Sequence, residues 1–211
     1  MSKALLNTAY FPPVQYMSVC AGYEEVYIEA NENYEKQSYR NRCTILGPNG
    51  TQNLSIPVIK GRSPGQPIRD VKIDYSTPWQ GNHRRSIETA YAAAPYFEHY
   101  YDEIKPFFKK KSRFLFDHNL MICNLLLVIL EINTEIKLTN TYLPIPPQDT
   151  RDYRNLIHPK KTDITYTDNY SFQPYMQVFN ERFSFQPGLS ILDLLFNEGP
   201  VSKQYLIDFK I

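Results

Sequence analysis

The first thirty residues constrain the fold most. "KALLN" (3–7) is a short apolar run, and "EEVYIEA" (24–30) is rich in β-branched and aromatic side chains, as strands are. Between them "PPVQYMSVCAGY" (12–23) opens on a Pro pair and places Val14, Met17, Val19 and Cys20 at loosely helical spacing. Strand, helix and strand in that order return the chain to the same edge of a sheet, so the opening predicts an α/β layer with at least one parallel pair.

Further along, "RCTILGPNGTQNLSIPV" (42–58) sets two β-rich runs around "GPNG", and Asn49-Gly50 suits the positive φ angles of a tight hairpin turn. "IRDVKID" (68–74) alternates as a strand does. From Trp79 the residues His83, Ile87, Ala90, Tyr91 and Ala94 recur at steps of three and four, which predicts a helix that Pro95 stops or bends. "YFEHYYDEIKPFFKKK" is helical up to Pro106, and 117–131 form a long apolar helix capped by Asp117. The run "LMICNLLLVILEI" (120–132) is too short for the roughly 20 residues that span a bilayer, so it predicts a buried helix and no membrane span. Residues 139–170, rich in Pro, Asp and Asn, are a long polar excursion. In "PGLSILDLLFNEGP" Ser190 and Asp193 have capping-box spacing, and Gly199-Pro200 ends that helix. The expected fold is a mixed, partly parallel sheet with a β-hairpin, flanking helices and C-terminal helices on the same core, as one domain over 1–211.

The net charge of +1 gives no overall reason to bind nucleic acid or an anionic membrane, so any basic site must be local. "MSKALLNTAYFPP" lacks the apolar run of a signal peptide, and a cytoplasmic protein is expected. Cys20, Cys43 and Cys123 are widely separated, without a CxxC, and read as buried thiols. His99, His118 and His158 show no metal-binding spacing, and neither a Rossmann fingerprint, a P-loop nor a hydrolase elbow is present.

The chemistry concentrates in "NENYEKQSYRNR" (31–42). On a strand over 39–46, Arg40 and Arg42 point the same way about 6.6 Å apart, with Asn41 opposite. Two guanidiniums so placed hold a diphosphate or acyl phosphate, or pair with Glu29, Glu32 or Asp70. Lys36 adds a point charge just upstream, Asn33 an amide, and Tyr34 a ring for a base or sugar. His83, facing the core beside Trp79, is either the general base or a hydrogen-bonded core histidine. "YEKQSYRNR" could also be an RNA patch, but the near-neutral charge disfavours nucleic acid.

"NTAYFPPVQYM", "ENYEKQSYRNRC", "LSIPV", "WQGNHRRSIETAYAAAPYFEHY" and "LSILDLLFNEGP" occur in that order, and together they make the chain resemble the WbqC-like family of bacterial proteins over nearly its full length. The resemblance implies a place in O-antigen or related surface-polysaccharide gene clusters. It also implies transfer of glycine or another amino acid onto an amino sugar. His83 would be the base, Asn33 or Asn41 the oxyanion donor, and Lys36, Arg40 and Arg42 the grip on a nucleotide sugar. Many members carry Gln-Pro where this chain has Asn7-Thr8, and Asp-Asp where it has Ala30-Asn31. The second departure either removes the activity, leaving a binding or scaffold protein, or moves the acid to Glu29 or Glu32. No cofactor is legible.

Overall fold

The computed structural model describes residues 3–59, 65–159 and 173–209. Strand β1 (Lys3–Leu6) buries Ala4, Leu5 and Leu6, that is, both of its faces. A continuous apolar run of this kind belongs inside a parallel sheet covered on both sides. It pairs in parallel with β2 (Glu25–Ile28), Leu5 opposite Tyr27, after the crossover helix α1 (Val14–Gly22). Two later strands complete the sheet: β5 (Glu135–Leu138) lies parallel beside β2, and β6 (Thr150–Asp152) parallel beside β1. The order is β5-β2-β1-β6, so the four carboxyl ends lie along one edge.

Strands β3 (Arg42–Gly47) and β4 (Gly50–Ser55) form the expected antiparallel hairpin. Its turn residues are Pro48 and Asn49, and the positive φ falls on Gly50 alone (104°), not on Asn49. Helix α2 (Trp79–Tyr91) buries Trp79, His83, Ile87, Ala90 and Tyr91, the predicted face. Helices α3 (Phe97–Ile104) and α4 (Leu115–Ile129) follow, with α4 starting two residues before Asp117, which lies in its first turn and does not cap it. Helices α5 (Ile191–Glu198) and α6 (Ser202–Asp208) close on the same core.

Helix α1 is buried from Val14 to Cys20 and has no side-chain cap, so packing holds it. The Ser18 hydroxyl reaches the carbonyls of Leu206 and Phe209 (2.9 and 3.0 Å), tying α1 to α6. Phe11 sits at φ 35°, a conformation unfavourable for a residue with a Cβ, and Ser190 Oγ donates to its carbonyl (2.9 Å) to hold it there. The same oxygen accepts from Leu192 N at the start of α5.

Two further expectations are corrected. Residues 68–74 are not a strand: Ile68–Asp70 is a 3-10 turn after Pro67, and among the described residues the segment's β pairing is limited to isolated bridges, Lys72 to Phe114 and Val58 to Ile73. The excursion is partly ordered, since β6 and the loop before it lie within 139–159; its residues 160–170 fall outside the described ones.

Candidate functional site

Parallel strands in α/β sheets present their binding residues just beyond their carboxyl ends, where the backbone leaves the ladder. Here a cleft of about 540 Å³ opens at that edge. Asn7 follows β1, Asn31, Glu32 and Asn33 follow β2, and Asp152, Arg154 and Asn155 close β6. Glu35, Arg40, Tyr142 and Pro144 complete the wall. A groove of similar size between the hairpin turn and α2 is lined by Arg85 and by small polar residues, most of them exposed, with no buried charge, so it lacks the means to orient a guest.

The cleft rests on two buried ion-pair systems. Arg40 Nε and Nη2 donate to Glu32 Oε1 and Oε2 (2.9 and 2.5 Å), a bidentate fork, while Nη1 reaches Glu35 Oε2 (3.1 Å). Asn7 Nδ2 donates to the same Glu32 Oε2. Beside them Arg154 spans Asp152 (Nη2 to Oδ2, 2.7 Å) and Glu29 (Nη1 to Oε2, 3.1 Å). Glu29 is fully buried and saturated: Thr139 Oγ1, the Asn31 and Leu143 amides and Arg154 all donate to it. The Arg154 guanidinium also lies 5.5 Å from the ring centre of Tyr142, whose side chain is half exposed.

Burial pushes the Glu32 carboxyl above its ordinary value, and Arg40 and Asn7 offset this only in part. Asp152 goes the other way: burial acts against ionisation, but the bonds and charge of Arg154 outweigh it and the carboxyl falls. With all six ionised, Glu29, Glu32, Glu35 and Asp152 set four negative charges against two on Arg40 and Arg154, a net of −2. His158 Nε2 stands 3.4 Å from Glu35 Oε1.

Of the sequence-predicted residues, Asn33 and Arg40 line the cleft. Arg40 is not on a strand with Arg42: β3 begins at Arg42, and Arg40 sits in the turn before it, where Glu32 eight residues back captures it. The alternative reading, intramolecular pairing, therefore describes Arg40. Arg42 is half-buried, and its Nε has no hydrogen-bond partner among the described residues. Asn41 Nδ2 donates to the Ile56 carbonyl (2.8 Å), a structural bond between the loop and the end of the hairpin. Tyr34 is half-buried; burial raises its pKa while Arg42 and then Arg40 oppose this, so both cations lie near its hydroxyl. Lys36 is exposed in the turn after Glu35.

His83 does not join them. It is 5% exposed, its Nδ1 lies 2.9 Å from Tyr10 Oη, and Trp79 and His118 pack around it. Burial lowers its pKa to about 4, with a backbone hydrogen bond at Ser55 acting the other way. The residues that sequence reasoning missed are Asn7, Tyr142, Asp152 and Arg154. The carboxyl end of a predicted parallel strand was the available signal for Asn7; the other three lie in the aperiodic excursion, which carries none.

These features define an α/β protein with a charged, amide-lined cleft at the carboxyl edge of a parallel sheet. The chain belongs to the WbqC-like protein family, whose profile matches residues 8–161. It is also 28% identical over 227 aligned residues to a Mycobacterium tuberculosis protein named "Uncharacterized protein Rv1507c", with 96% of each chain covered. No solved structure matches it. Among the described residues no helix is long and apolar enough to cross a membrane, and no group of three or more His, Cys, Asp or Glu side chains is placed to hold a metal ion.

Proposed function

We propose that the protein is a cytoplasmic transferase that moves a glycyl or other aminoacyl group onto the amine of a nucleotide-linked amino sugar, in surface-polysaccharide biosynthesis. The observation that carries the reading is the carboxylate excess at the cleft, where Glu32, Glu35 and Asp152 line the wall and Glu29 lies buried beneath it, against Arg40 and Arg154; it accommodates a guest bearing an ammonium group.

Such an amine must lose a proton before it can attack. Glu32 is the base, because burial raises its carboxyl pKa and brings it closer to neutral operating conditions. The freed nitrogen lone pair attacks the carbonyl carbon of an activated acyl donor; the C–N bond forms, the bond to the donor's leaving group breaks, Glu32 holds the first ammonium proton, and the second nitrogen proton departs with the leaving group. Asn33, exposed on the rim, donates to the developing oxyanion. Tyr142 offers its ring to the sugar, as half-exposed aromatics do in such sites. Lys36 and Arg42 make no ion pair among the described residues, which leaves them for the diphosphate. His83 has no part in this step.

Calorimetry with a nucleotide diphosphate sugar carrying an amine, against its hydroxyl counterpart, tests the reading. The amine should bind about tenfold tighter, the worth of one charge-assisted hydrogen bond, and Glu32→Gln should remove most of that preference. Equal affinity for the two sugars overturns it.

A second reading, a non-catalytic binding or scaffold protein of the same pathway, draws on the mutual pairing of Glu29, Glu32, Arg40 and Arg154. Tight amine-selective binding without transfer of a labelled glycyl group decides for it.

A further inference from the structure

The cleft makes no use of the segment that follows α3. Residues 105–113 read KPFFKKKSR, five cations without a carboxylate. Lys105 pairs with Asp102 (3.7 Å), but Lys109, Lys110, Lys111 and Arg113 are exposed. Exposed Lys72 joins them, because it bridges to Phe114 and the neighbouring Ile73 amide donates to the Arg113 carbonyl (3.1 Å). None of Lys72, Lys109, Lys110, Lys111 and Arg113 lies in an ion pair among the described residues.

Like charges this dense repel, so an unconstrained loop would spread them. This one is braced. Gln80 Nε2 donates to the carbonyls of Phe107 (3.0 Å) and Lys110 (2.8 Å). The Tyr75 hydroxyl donates to Ser112 O (3.0 Å) and accepts from Ser112 N (2.9 Å), and Ser112 Oγ lies 3.1 Å from His118 Nδ1. The fold therefore holds the cations together at a cost in self-repulsion that a polyanionic surface would relieve.

The details separate the kinds of polyanion. Nucleic-acid sites set open aromatic faces and amide side chains among their cations, to stack on bases and read their edges. Here two rings beside the patch are covered by its own cations, Lys111 Nζ lying 5.1 Å from the Tyr75 centroid and the Arg113 guanidinium 5.1 Å from that of Phe114, while Phe107 is half-buried against Phe11 and His118. Residues 105–113 contain neither Asn nor Gln. What remains is a set of mostly lysine point charges on long stems, suited to a smeared layer of headgroup charge and not to one fixed anion.

We propose that this face docks the protein peripherally on an anionic lipid bilayer. The full chain should sediment with vesicles containing about 30 mol% phosphatidylglycerol in phosphatidylcholine, not with phosphatidylcholine alone, and should be released as salt rises from about 0.05 to 0.5 M. Reversing Lys109, Lys110 and Lys111 together to Glu should lower the partition coefficient by about a hundredfold or more, at roughly fivefold per neutralised lysine. The substituted side chains are exposed, and an unchanged melting temperature shows that the variant is folded. Lys203→Glu, on α6, is the control and should bind as the wild type does. Absence of binding to anionic vesicles at low salt overturns the proposal, as does a triple variant that binds normally or a control that loses as much. Retention on RNA without retention on vesicles assigns the face to nucleic acid instead.

Discussion

Acid should destabilise this protein through two histidines that its core keeps neutral. His83 and His118 are 5% and 1% exposed, and burial lowers each from the ordinary 6.5 to about 4. The unfolded chain takes up a proton at each near 6.5 and the folded chain only near 4, so between these values the unfolded state binds more protons. Stability therefore falls as pH falls through that window and is unaffected above it. One pKa unit corresponds to about 1.4 kcal/mol, so each imidazole costs about 3.4 kcal/mol once the pH is below 4 and about 2 kcal/mol at pH 5. Glu32 and Asp193, whose carboxyls burial raises, act in the opposite direction, and Asp152, whose carboxyl Arg154 lowers, acts in the same direction as the histidines, so the wild-type curve is compared with variants. Single variants isolate the effect. Urea unfolding of the wild type, His83→Gln and His118→Gln at pH 7.5 and pH 5 should show each variant losing about 2 kcal/mol less between the two pH values than the wild type does. If both variants lose as much as the wild type, the imidazoles are not held neutral and the reasoning fails.

Two further outcomes follow from single contacts. Gly199 ends α5 at φ 55°, and a Cβ built there would lie 2.5 Å from ring carbons of Tyr96, so Gly199→Ala should cost about 2 kcal/mol or more in denaturant, with part recovered when Tyr96 is also Ala. Arg154→Met removes the cation beside the fully buried Glu29 and should cost about 3–5 kcal/mol by chemical denaturation, whereas pairing it with Glu29→Gln should restore much of the loss.

Legibility in the sequence followed burial. Strands β1 and β2 could be read because both faces of β1 are apolar, and α2 because its buried residues keep helical spacing across thirteen residues. Strand β6 could not, since "TRD" has no apolar residue; the open edge of β1, Lys3 opposite Thr150, places it. Residues 68–74 alternate as a strand does, but the segment after Pro67 closes instead as a 3-10 turn, with Ile68 N bonded to Glu32 O. The strand pattern over 39–46 starts three residues before β3 does, which leaves Arg40 outside the strand. The deciding fact was chemical: a guanidinium with Glu32 and Glu35 nearby on its own chain is satisfied there, and Asn119 of α4 fixes its carbonyl (2.7 Å).

The ion pairs under the cleft are poor candidates for stabilising the fold. Moving Glu29, Glu32, Arg40 and Arg154 out of water costs several kcal/mol each, and apolar side chains of similar volume would fill the same space at no such cost. What the charges add is orientation. Glu32 is held in a bidentate fork by Arg40, and Arg154 is held between Asp152 and Glu29, so the side chains facing the cleft have little freedom left to lose when a guest arrives. The same rigidity makes the buried carboxylates of Glu29 and Glu32 effective, because they cannot turn away to solvent when the wrong guest enters, whereas Glu35 is half exposed. A cleft built only to be filled would not need four buried ions beneath it. Under the function proposed above, those charges would serve to discriminate an ammonium from a hydroxyl.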